Sequence, residues 1–184
     1  MIGAKVISAA TGLPVTLTEV KNDLGIYHTE RDDVLQTMIE ASVAFSEKFT
    51  GQIFRYPPET VEQAFADFSD VDLNYGPVSG VTQVTYFNSS NVETTLPSGN
   101  YTVINHGMPG RVEFDGMISV PSLYNRRDAV RVRYTAGYAT ANDVPADVRT
   151  AILLTVRHLY ESAGNPVKQM PTTAEWMLRN HRIR

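Results

Sequence analysis

Val130-Arg131-Val132-Arg133-Tyr134-Thr135-Ala136-Gly137-Tyr138, and the stretch that follows, decide the architecture. Val130, Val132 and Tyr134 fall on one side of an extended chain and Arg131 and Arg133 on the other, the two-residue period of a strand with one apolar face. Then the period changes. Val148, Ile152, Val156, Leu159 and Ala163 recur at three- and four-residue spacing, one stripe of a helix. Asp143 stands where an N-cap belongs, Pro145 suits the first turn, and Gly164-Asn165-Pro166 marks a stop.

Upstream, Val81 to Phe87, Tyr101 to Ile104 and Arg111 to Phe114 alternate β-branched or aromatic residues with polar ones. Turn chemistry separates them at Tyr75-Gly76-Pro77, Asn88-Ser89-Ser90-Asn91, Pro97-Ser98-Gly99-Asn100 and Met108-Pro109-Gly110. Residues 55–137 therefore read as a small antiparallel β unit whose apolar face would rest on helices. The helices lie outside it. Thr16 and Glu19 have capping-box spacing ahead of Leu17, Val20 and Leu24, and Gly25 ends that short helix. A second helix starts at Thr29 with Asp32 and Asp33 in its first turn. Val34, Leu35, Met38, Ile39, Ala41, Phe45 and Phe49 form its apolar stripe, and Gly51 closes it. After residue 166, Pro171 to Leu178 reads as one short helix before a basic end.

The expected fold is α+β. Two N-terminal helices pack on a C-terminal helix as a bundle body (1–54 and 138–166), with the β unit inserted (55–137) and an extended C-terminal tail (167–184). The end helices must pack together, or neither could bury its stripe.

Composition limits the function. The 184 residues are 42% apolar and 20% charged, enough to build a core without a metal or disulfide. There is no cysteine, which excludes a disulfide framework, a Cys-based zinc site, an Fe–S cluster and a Cys nucleophile. The start, Met1-Ile2-Gly3-Ala4-Lys5, lacks signal-peptide character, and no run is apolar enough to predict a membrane span. Net charge is −4, which argues against a dedicated duplex-DNA binder, and it is unevenly spread. Residues 1–75 carry −7 and residues 76–184 carry +3, so copies could pack head to tail, acidic front on basic tail.

The search for chemistry returns little. His28, His106, His158 and His181 show no i, i+4 pair, and His158 with Glu161 alone does not make a di-metal site. Asp67, Asp70 and Asp72 lack the EF-hand ladder. Gly107-Met108-Pro109-Gly110-Arg111 lacks phosphate-loop spacing and reads as a hairpin turn. Arg126, Arg127, Arg131 and Arg133 form the most basic cluster; they could touch a nucleic-acid backbone, but an outward strand face, solvated or protecting an edge, explains them better. The expectation is no enzyme, no metal and no cofactor.

The order and spacing of these elements resemble the head–tail connector (adaptor) proteins of long-tailed bacteriophages. The resemblance runs from Leu17-Thr18-Glu19-Val20 through Asp32-Asp33-Val34-Leu35 and Glu47-Lys48-Phe49-Thr50-Gly51. It continues through Tyr75-Gly76-Pro77-Val78 and Val130 to Tyr138, then Val144-Pro145-Ala146-Asp147-Val148-Arg149 and His158-Leu159-Tyr160-Glu161. Related chains often end in Leu-Leu and Tyr-Arg, where this one has Trp176-Met177-Leu178-Arg179. The resemblance implies a structural virion protein of the neck, assembled in the host cytoplasm. It implies a homo-oligomeric ring, taken as a dodecamer, beneath the portal protein after packaging. The ring extends the DNA channel, passes genomic DNA without sequence readout, and docks the stopper or tail-completion protein, with no membrane involved. On this reading the tail orders on the portal, with Trp176, Met177 and Leu178 as apolar anchors and Arg179, Arg182 and Arg184 as charge partners. Two other classes stand beside it. A scattered enzyme site would need a cleft joining His106, Asp115 and an Arg. A carbohydrate- or host-binding β module would expose Tyr86, Phe87, Tyr101 and Tyr124.

Overall fold

A computed structural model describes residues 3–114, 121–162 and 171–183. These form an α+β protein with four helices and antiparallel sheets. The chain divides into two compact units, Met1–Ala10 with Pro58–Gly137, and Thr11–Pro57 with Tyr138–Ile183. The division departs from the expected one at both ends: the first residues join the β unit, and the C-terminal segment joins the helices. Asp115, Lys168, Arg184 and the expected stop at Gly164-Asn165-Pro166 lie outside the described residues.

In the β unit, β1 (Ala4–Ser8), β2 (Glu59–Phe65), β4 (Val78–Phe87), β5 (Glu93–Thr95) and β8 (Val130–Ala136) make a five-stranded antiparallel sheet ordered β1-β2-β8-β4-β5. The expected alternation in β8 is present: Val130, Val132, Tyr134 and Ala136 are buried, and Arg131 and Arg133 point the other way. But β8 is the central strand, paired with β2 and β4, so its arginines protect no edge. The strand β2 hides its period because two polar residues face inward with Val61 and Phe65. Both are satisfied. Glu59 accepts the Ala10 N–H at 3.0 Å, and the Gln63 amide accepts the Asn74 N–H at 2.9 Å while donating to the Asp72 carbonyl at 3.1 Å. Tyr134 Oη lies 3.3 Å from Gln63 Oε1 and accepts the Tyr75 N–H, so the segment around Leu73 covers this row, and burial pushes the phenol pKa up. A second sheet joins β3 (Val71–Asp72), β6 (Thr102–Ile104) and β7 (Arg111–Glu113) in the order β3-β7-β6, with the expected hairpin at Gly107–Gly110. There Gly110 is required, because a Cβ would lie 2.6 Å from the Val78 side chain.

The helical unit contains α1 (Leu17–Leu24), α2 (Asp32–Thr50), α3 (Ala146–Glu161) and α4 (Thr172–Arg179). The Thr16–Glu19 capping box forms as read, and Gly25 and Gly51 close α1 and α2 with left-handed backbone. Two expected caps do not form. No side chain caps α2; Thr29 contributes its carbonyl to the Asp32 N–H instead. Asp143 accepts from the Thr140 N–H and hydroxyl in a short 3-10 turn, and α3 starts after Pro145. Val20 of α1, Leu35, Ile39 and Val43 of α2, Val148, Ile152 and Val156 of α3, and Ala174 and Leu178 of α4 share one core. Ion pairs of Arg149 with Glu19, Arg157 with Asp23 (2.9 Å) and Lys21 with Asp32 (2.7 Å) tie α1 to α3 and α2. None of the described helices is long and apolar enough to cross a membrane.

The C-terminal segment is not extended. Beyond α4, the Ile183 N–H donates to the Thr50 carbonyl at 2.8 Å, and the Gln52 amide donates to the His181 carbonyl. The His181 ring lies 2.7 Å from Asp147, and the Ile183 side chain packs beside Gly51. Folding supplies its own partner for this segment: Ala174 and Leu178 bury against the core, which offsets the ordering entropy that would otherwise leave it loose.

Candidate functional site

Among the described residues no three His, Asp or Glu side chains gather as a metal site. Each aspartate of the 67–72 stretch already holds a structural contact. Asp67 accepts the Ser69 N–H, Asp70 accepts the Phe114 N–H at 3.1 Å, and Asp72 pairs with Arg111 at 2.8 Å. His28 and His106 are exposed in loops, and the ring of His181 is committed to Asp147.

Three of the four clustered arginines are likewise occupied, and Arg127 is exposed. Arg126 stacks on Phe87, its guanidinium 3.8 Å from the ring centre, and grips Asp128 with two hydrogen bonds of 2.6 and 2.7 Å. Arg131 bonds the same Asp128 at 2.9 Å and stands 3.8 Å from Glu93, while Arg133 pairs with Glu62 at 2.7 Å. Hydrogen bonds from Arg126 and then Arg131 hold the Asp128 carboxyl well below the usual carboxylate range. Arg131, Arg133, Glu62 and Glu93, with Gln83, Thr85 and Thr95, line a shallow polar depression on the outer face of the sheet. A phosphate would have to displace carboxylates already in place, so this face is poorly built to grip a nucleic-acid backbone. Nor does the β unit carry a carbohydrate platform. Of the four aromatics a glycan module would expose, Tyr124 alone is exposed; Tyr86 packs on Phe68, Phe87 lies under Arg126, and Tyr101 leans on Phe114.

What remains is surface on the helical unit. The structure separates the six residues expected to contact a portal. Leu178 is fully buried, an anchor of its own chain and unavailable to a partner, while Met177 is half-buried against the same core. Trp176 is 66% exposed at the middle of the outer face of α4, between Thr172 and Arg179. Arg179 is exposed and pairs with Glu175 at 2.8 Å, one turn back. Arg182 lies beyond the helix with its guanidinium 5.8 Å from the Phe49 ring centre. Arg184 falls outside the described residues.

Sequence reasoning missed a second surface. The apolar residues of α2 do not make one stripe. Leu35, Ile39 and Val43 are buried, whereas Val34, Ala41 and Phe45 are exposed and Met38 is half-buried. These four recur at spacings of four, three and four, so they line one side of the helix. The clue was in the sequence: adjacent pairs such as Val34-Leu35 and Met38-Ile39 point about 100° apart, an apolar arc wider than one contact needs.

The family of head completion proteins has a model that matches residues 15–183, which spans both units. No curated protein matches the chain. Among solved structures, the chain is similar to a protein in the neck of an empty gene transfer agent particle computed with C6 symmetry. It shares 19% identity with that protein at a TM-score of 0.80, covering 100% of this chain and 96% of the other. A chain in the virion of the native particle matches at 20% identity and TM-score 0.79. One in the native neck computed with C12 symmetry matches at 18% and 0.78, and coverage is the same 100% and 96% for both. At these identities the likeness is one of fold.

Proposed function

We propose a function from one premise: the chain belongs to the head completion protein family, a family of phage head–tail connectors. It acts as a structural protein of the virion neck. In the finer reading, copies form a ring under the portal after DNA packaging, extend the channel, and present the docking surface for the stopper or tail. The family match over both units carries this reading. The rotational symmetry of the particles whose neck proteins share this fold supports the ring. The paired arginines of the sheet support a channel that lets DNA slide, because a wall of unpaired arginines would hold phosphates. On this reading the protein is no enzyme, assembles in the host cytoplasm, and meets the portal at its C-terminal end.

Of the residues first expected there, we keep Arg182, which is exposed beyond α4. The test is co-sedimentation of the purified chain with DNA-filled, tail-less heads, with negative-stain imaging of the vertex. Saturable binding that adds a ring at one vertex is the expected result. Binding over the whole shell, or none, would overturn the connector reading. Arg182→Asp should weaken attachment at least tenfold without moving the melting temperature; unchanged attachment removes Arg182 from the contact.

A further inference from the structure

We propose that the exposed stripe of α2 is one half of the contact between neighbouring copies of this chain, and that the outer face of α4, centred on Trp176, is the other half. The proposal rests on the ring reading above and names its interface. Val34 is 48% and Phe45 47% exposed, with Met38 and Ala41 between them on the same side of the helix. An apolar line of three turns on a charged surface is costly to leave in water, and it ends in a large aromatic.

Charge says what covers it. Asp33 and Glu40, two turns apart, border the stripe, and neither has a cation within ion-pair distance among the described residues. Lys48 stands at the C-terminal end of the same side. The face of α4 carries the reverse pattern: Glu175 before the exposed Trp176, and Arg179 after it. Laid antiparallel on the stripe of another copy, α4 sets Trp176 over Ala41 and Ala44, the small exposed residues between Met38 and Phe45. Arg179 then meets Glu40, while Glu175 meets Lys48. The Arg179–Glu175 pair within one copy is exposed, so exchanging it for contacts between copies costs little. The two halves are different surfaces, so the contact is head-to-tail and repeats around a ring instead of stopping at a dimer.

The absence of cysteine makes the test direct. Ala44→Cys and Thr172→Cys are made in separate chains, mixed, added to tail-less heads, and treated with a short bis-maleimide. The mixture should give a linked dimer that neither variant gives alone. Phe45→Asp, at an exposed position, should fold with an unchanged melting temperature yet lose ring formation at least tenfold. Glu40→Arg should weaken assembly, and adding Arg179→Glu should restore it. If the unsubstituted chain leaves heads undecorated, the connector reading falls and this contact with it. If rings form but the mixed pair does not link, or either variant links to itself, this interface alone is overturned.

Discussion

Two surfaces of this molecule are rich in arginine, and they differ in whether those charges are already spoken for. On the outer face of the five-stranded sheet, Arg126, Arg131 and Arg133 each hold a carboxylate, and one of them also covers an aromatic ring. On the helical unit, Arg179 has an exposed partner one turn away, and Arg182 has only the Phe49 ring nearby among the described residues. From the sequence the sheet cluster is the more basic, four arginines within eight residues, and draws attention first. In the structure three of those four, Arg126, Arg131 and Arg133, are closed. A charge whose hydrogen bonds are satisfied inside the chain has little left to give a partner, so pairing rather than count separates a structural charge from a docking one.

The strongest way to break this comparison is to show that α4 is not part of the folded body. Leu178→Ala removes a fully buried side chain and should cost about 2–5 kcal/mol in denaturant unfolding. A change within error would mean that α4 is a loose tail after all. Next in size is Asp128→Asn, which leaves Arg126 and Arg131 half-paired and should cost about 1 kcal/mol at neutral pH. Here the sign with pH is fixed. The folded carboxyl sits below its ordinary range, so its contribution is present above about pH 4 and is lost as the pH falls through the folded value. The acid limb of the wild-type unfolding profile should therefore be steeper than that of Asp128→Asn; parallel limbs would show the pair is not closed. The smallest effect belongs to Arg179→Ala, where an exposed i, i+4 pair should be worth under about 0.5 kcal/mol by thermal melting. Its consequence should appear instead in ring formation. A large loss of stability would make Arg179 structural and erase the contrast.

Much of this fold was legible because single residues were decisive. Thr16 and Glu19 gave the start of α1, Gly51 the end of α2, and the alternation of β8 its two faces. What was hidden had physical causes. The strand β2 was missed because Glu59 and Gln63 occupy buried positions, made affordable by partners far along the chain. The short strand β1 was missed because four of its five residues are exposed and show no alternation. Asp143 and Thr29 were read as caps because capping chemistry looks alike whether it ends in a helix or in a tight turn. The candidate surface was half visible. Trp176 and Arg179 are exposed, but on a docked helix and not on an extended tail, whereas the burial of Leu178 and the outward face of Phe45 depend on how wide a stripe the neighbouring helices cover.

The hydrogen bond from Ile183 to the Thr50 carbonyl also makes a reporter. Backbone amides beyond a last helix ordinarily trade their hydrogens with solvent almost at once, since nothing but fraying stands between them and water. The Ile183 amide is instead shut against the end of α2. It can exchange only when that end opens, so its rate in deuterated solvent times the opening of the helical unit from a single position. It should slow by orders of magnitude relative to the same amide in the unfolded chain, and slow further when α4 is covered by another copy.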